Sequence, residues 1–108
     1  MDLRMRLLAI LFVSVSLAGC ARGFDSNAWR GGAGCADDRR LGMVSALERD
    51  VLRTGMSQTE VVSALGEPEI RAPDGLVYCL GRNFLDYDEY VIELGPDGAV
   101  TSFRQVQG

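Results

Sequence analysis

Gly55-Met56-Ser57-Gln58-Thr59-Glu60-Val61-Val62-Ser63-Ala64-Leu65-Gly66-Glu67-Pro68 is the stretch whose reading decides the fold. Ser57 and Glu60 stand three apart ahead of an apolar run. At that spacing each side chain can accept a hydrogen bond from the other's backbone N–H. Met56 and Val61 occupy the two positions of a hydrophobic staple around that box. Val61, Val62 and Leu65 supply a short apolar face. Gly66 permits a left-handed stop, and Pro68 forbids the helix to resume. The segment therefore predicts a short helix with both ends marked.

Working upstream, Met43, Val44, Leu47 and Val51 fall on one helical face, with Arg39, Arg49, Asp50 and Arg53 around the other side. Asp37 and Asp38 are placed to favour the positive end of a helix dipole. A first helix over about 38–53 is expected, ending near Thr54-Gly55. Working downstream, Ala72-Pro73-Asp74-Gly75 is turn chemistry. Leu76-Val77-Tyr78-Cys79-Leu80 then reads as a strand, and Gly81 to Asp86 as a polar loop. Tyr90, Ile92 and Leu94 alternate with Val91 and Glu93 in a second strand. Gly95-Pro96-Asp97-Gly98 is a hairpin turn, and Ala99 to Val106 makes a third strand. The order predicts an α+β fold, two N-terminal helices packed on one face of a three-stranded antiparallel sheet.

The other end of the chain reads MDLRMRLLAILFVSVSLAGC over residues 1–20. Arg4 and Arg6 form a basic start, and an apolar run follows from Leu7. The run to Leu17 would span about 16 Å as a helix, half of a bilayer's hydrocarbon core, so a cleaved signal is favoured over a membrane span. Leu17-Ala18-Gly19-Cys20 resembles the lipobox of bacterial lipoproteins. That resemblance implies cleavage before Cys20 and acylation of its thiol and amine, several chains being enough for stable anchoring. Ala21 follows the cysteine where an Asp would, in enterobacterial lipoproteins, signal retention in the inner membrane. The outer membrane is therefore the expected address, with the domain facing the periplasm. The expected organisation is a signal over 1–19, a lipidated Cys20 with a flexible tether over 20–36, and a domain over 37–108.

Composition narrows the partners. The chain has 11 Lys+Arg, 15 Asp+Glu and no His. Removing residues 1–19 takes away Arg4, Arg6 and Asp2, which leaves nine Arg against fourteen carboxylates, 9 − 14 = −5. An acidic surface is repelled by phosphate backbones and anionic head groups, which argues against nucleic acid and against electrostatic membrane binding. The missing His removes the usual general base and the commonest zinc ligand. No cofactor or metal is expected, and a non-enzymatic protein is the reading. Asp86, Asp88 and Glu89 beside Tyr87 could in principle hold a hard cation, but their spacing fits no calcium loop.

With Cys20 acylated, Cys35 and Cys79 remain as an even pair in an oxidising compartment. They are either bridged, which would pin the Gly-rich segment before the first helix onto the first strand, or two separate thiols. Residues 21–36, ARGFDSNAWRGGAGCA, show no sustained period and could extend to about 50 Å at most. Their aromatics, Phe24 and Trp29, either cover an edge of the core or serve as an interaction handle.

Gly55-Met56-Ser57-Gln58-Thr59-Glu60-Val61 with Leu65-Gly66-Glu67-Pro68 resembles the signature of the SmpA/OmlA (BamE-like) outer-membrane lipoprotein domain. The strand around Tyr78 and the Leu94 to Val100 hairpin are also similar, so the resemblance covers about residues 40–106. It implies two helices on a three-stranded antiparallel sheet and a protein-binding role supporting outer-membrane protein assembly or envelope integrity. The partner it implies is an unidentified envelope protein, for which the β-barrel assembly machine is one candidate. A related layout occurs in β-lactamase-inhibitor-like modules, so an inhibitor-like or other periplasmic interaction module is the alternative. The sheet face opposite the helices is the expected docking surface. Trp29, Tyr87, Tyr90 and Phe103 are the candidate partner-binding residues, since aromatic side chains dominate interface energy.

Overall fold

The computed structural model describes residues 23–31, 35, 37–83 and 86–107. The expected signal segment and Cys20 lie outside the described residues. Among the described residues, three α-helices, α1 (Ser26–Gly31), α2 (Val44–Asp50) and α3 (Gln58–Leu65), precede four strands. The strands are β1 (Ile70–Ala72), β2 (Gly75–Asn83), β3 (Asp86–Leu94) and β4 (Val100–Gln107). They form one antiparallel sheet in the order β1-β2-β3-β4. The α+β architecture follows the sequence expectation, but the sheet has four strands rather than three.

The signature helix forms as its residues dictate. Glu60 N–H donates to Ser57 Oγ at 3.1 Å, and Ser57 N–H donates to Glu60 Oε1 at 2.9 Å. The Ser57 backbone N–H, and after it the Ser57 hydroxyl, hold the Glu60 carboxyl below the ordinary carboxylate range. Met56 and Val61 are both buried. Gly66 closes the helix at φ 81°, and its N–H returns to the Val62 carbonyl.

α2 is shorter than expected. A 3-10 turn, Leu41–Met43, leads into it, so the predicted helical start at 38 is corrected. The Asp37 carboxylate accepts from Arg39 N–H at 2.9 Å and shapes a turn. The apolar face nonetheless lies where the period puts it, with Leu47 fully buried and Met43, Val44 and Val51 packed against the core.

β1 is the strand that the sequence left out. Pro73 and Asp74 turn the chain so that Ala72 pairs with Gly75 and Ile70 with Val77. The expected loop after Leu80 is also corrected, because β2 continues through Gly81 to Asn83 and β3 starts at Asp86. A register shift between Cys79 and Gly81 marks a bulge that carries Leu80. Gly81 is required there, since a Cβ would stand 3.2 Å from the Asp37 carbonyl and the Asp38 Cα. The β3–β4 hairpin turns at Gly95 to Gly98, with Gly98 at φ 82°.

The core lies between the helices and one sheet face. Leu47, Val61, Leu65, Leu76, Tyr78, Leu80, Tyr90 and Ile92 fill it. Both tyrosines spend their hydroxyls on the helices. Tyr78 Oη donates to the Gly66 carbonyl and Tyr90 Oη to Glu48 Oε2, each at 2.7 Å.

Within the segment expected as a flexible tether, the described residues 23–31 join the fold. α1 packs along α3, where Ser26 Oγ donates to the Ala64 carbonyl at 2.5 Å and the Arg30 guanidinium donates to the Ser63 carbonyl. Trp29 is 0% exposed and belongs to the core, with Phe24 packed against it. One turn of helix between glycines shows no period in a sequence, yet it suffices to present one large ring. Arg40, itself buried, joins this segment to the sheet. Its Nε donates to the Trp29 carbonyl, and its Nη1 donates to Glu69 Oε1 and to the Cys79 carbonyl, all at 3.0 Å. Its guanidinium carbon lies 5.2 Å from the centroid of the Trp29 ring. Cys79 N–H donates to Glu69 Oε1 at 2.8 Å. Beyond the end of β1, two side chains therefore satisfy the open edge of β2. Cys35 and Cys79 stand at disulfide distance, Cα to Cα 5.1 Å, within the range such a bond requires.

Candidate interaction face

Side chains alternate across a strand, so cross-strand partners share a face. Tyr90 pairs with Tyr78 and Ile92 with Phe103, which places all four toward the helices. Tyr90 is fully buried, and Phe103 is partly buried against the core. Trp29 is buried as well. Trp29 and Tyr90 thus serve the core, and Phe103 is half-buried against it on the helix side rather than on the expected outer face. Three positions separate Tyr87 from Tyr90, an odd number, so the two cannot share a face of β3.

Tyr87 does lie on the face away from the helices, opposite Arg82, and is 42% exposed. The Arg82 guanidinium carbon stands 5.3 Å from its ring centroid, and Arg82 Nη2 donates to Tyr87 Oη at 3.3 Å. The same face carries a row in register across the sheet: Ile70, Val77, Val91 and Arg104. Ile70 is 54% exposed, a large apolar side chain left in water. Beside the row, Glu93 accepts from Arg104 at 2.8 Å and from Ser102 Oγ at 2.8 Å. Those two bonds, Arg104 first, hold the Glu93 carboxyl below its ordinary range.

The face is therefore an aliphatic row with a fixed Glu–Arg pair on one flank and a stacked Arg–Tyr pair elsewhere on the sheet. Such a mixture suits protein contact, because Tyr and Arg are enriched among the residues that dominate binding energy. The sequence could not separate Tyr87 from its neighbours without a register. Alternation would have done so, had the strand been extended back to Asp86.

The carboxylates near Tyr87 are divided by the same rule. Asp88 is buried opposite Gly81, whereas Glu89 pairs with Cys79 on the other face. Among the described residues, no group of three or more His, Cys, Asp or Glu could hold a metal ion. No described helix is long and apolar enough to cross a membrane. The buried Arg40 and its partner Glu69 escaped sequence reasoning altogether, since no spacing rule links residues 29 apart.

No family model, curated protein or solved structure matches this chain.

Proposed function

We propose that the chain is the precursor of a lipid-anchored, non-enzymatic envelope protein, acylated at Cys20 and held on the outer membrane facing the periplasm. Its α+β domain binds a protein partner through the outer sheet face, in the manner the BamE-like resemblance implies, in support of outer-membrane assembly or envelope integrity. The observation that carries the reading is the cysteine arithmetic. Cys35 and Cys79 stand at disulfide distance, which leaves Cys20 as the one remaining cysteine, directly behind Leu17-Ala18-Gly19. A bridged pair also suits an oxidising compartment.

The test has two arms in cells that make the protein. Mass spectrometry of the membrane fraction should find an acylated N-terminal peptide starting at Cys20, and Cys20→Ala should abolish both acylation and membrane fractionation. Crosslinking in intact membranes should then recover an envelope protein, and Tyr87→Ala with Ile70→Asp should lower that recovery without loss of folding. Unchanged fractionation of the Cys20→Ala protein would overturn the anchor. Unchanged crosslinking by the face variant would overturn the docking surface.

A further inference from the structure

The course of the chain before α2 sets how far the domain can stand from its anchor. A tether over 20–36 would have allowed it to roam about 50 Å. In the structure the chain is already fastened at Phe24, whose ring centroid lies 5.7 Å from that of Trp29. It is fastened again by Ser26 on the Ala64 carbonyl and by Arg30 on the Ser63 carbonyl. A third fastening lies at Cys35, beside Cys79. Only Ala21, Arg22 and Gly23 separate Cys20 from Phe24. Four Cα steps reach about 14 Å when fully extended.

We propose that the pole of the domain built by α1 and the C-terminal half of α3 stands against the lipid surface that holds Cys20. This rests on the lipidation reading above. Covalent reach, rather than charge, holds the contact, because the mature chain is acidic and anionic head groups repel it. α1 and α3 lie on the helix side of the sheet. A membrane at their pole therefore leaves the outer face, with Ile70, Val77 and Val91, open toward the periplasm. The leash makes the domain a fixed platform, and its partner has to work close to the membrane.

Trp29 is the only tryptophan of the chain, so it reports its own distance from the lipid. The full acylated protein is placed in phosphatidylethanolamine/phosphatidylglycerol vesicles that carry dansyl-labelled head groups, and energy transfer from Trp29 is measured. A variant with a Gly/Ser insertion of about 16 residues between Ala21 and Arg22 is the comparison, its added coil spanning about 22 Å on average. Transfer should be strong in the native protein and fall about three-fold or more in the insertion variant, with no response to added salt. Equal transfer in the two proteins, both floating with the vesicles, would overturn the platform and leave the lipid anchor intact. A protein that carries no acyl mass and does not float would overturn the anchor and the platform together.

Discussion

Two tyrosine hydroxyls give the domain a pH signature at the scale of single residues. Burial pushes the Tyr78 and Tyr90 hydroxyls well above the ordinary tyrosine value, and the hydrogen bond from Tyr90 to Glu48 pushes the latter further. The unfolded chain ionises its tyrosines near pH 10. The raised folded value means that this contribution to stability is complete below about pH 10 and is lost as pH rises beyond it. The chain has no Lys and no His, so few other side chains titrate in that window. Thermal unfolding should therefore be nearly level from neutral pH to about 9 and decline above about 10. Tyr90→Phe should flatten the decline, and an equally steep decline in that variant would show that other groups cause it. Arg40 belongs to the same scale. Its three hydrogen bonds at 3.0 Å satisfy a carboxylate and two carbonyls at once. Its value therefore lies in the partners it would otherwise leave bare.

Among the elements, α1 carries more of the fold than its six residues suggest. Trp29 is wholly buried, and its Nε1 has no hydrogen-bond partner among the described residues. Trp29→Ala should cost about 3–5 kcal/mol of unfolding free energy, the range for a large ring removed from a core. Trp29→Phe removes the unpaired donor and keeps a ring, so it should cost clearly less in the same urea titration. A loss under about 1 kcal/mol for the alanine variant would mean that α1 docks without supporting the core. The elements that could be read in the sequence are those with a local rule. Ser57, Glu60 and Gly66 announce α3, and Gly95 to Gly98 announce the last hairpin. The elements that could not be read depend on distant partners. β1 is three residues long and exists because β2 offers Ile70 and Ala72 an edge. α1 exists because the core has room for Trp29. Gly81 looks like the end of a strand, yet the strand runs on through it past the Leu80 bulge, and the close approach of Asp37 and Asp38 leaves no room there for a Cβ. The candidate face was half legible for the same reason, since Tyr87 needed a register before it could be told apart from Tyr90.

At the scale of the whole molecule, the Cys35–Cys79 pair ties the N-terminal segment to the sheet across 44 residues of sequence. Bridging a loop of that length restricts the unfolded chain by about 4 kcal/mol in the entropy model. That is a large share of the marginal stability of so short a domain. Unfolding in urea with and without a dithiol reductant should separate the two states by roughly that amount. Trp29 emission should shift to the red at lower urea in the reduced protein. Identical midpoints would mean that the pair adds nothing to the fold.

The export proposed above would give the same pair a further consequence. A reducing cytosol would keep the two thiols apart, so a precursor made there would lack the link between the N-terminal segment and the sheet. Such a chain would be looser for threading through a secretion channel, and the covalent lock would close on the far side, where the chain no longer needs to be pulled straight.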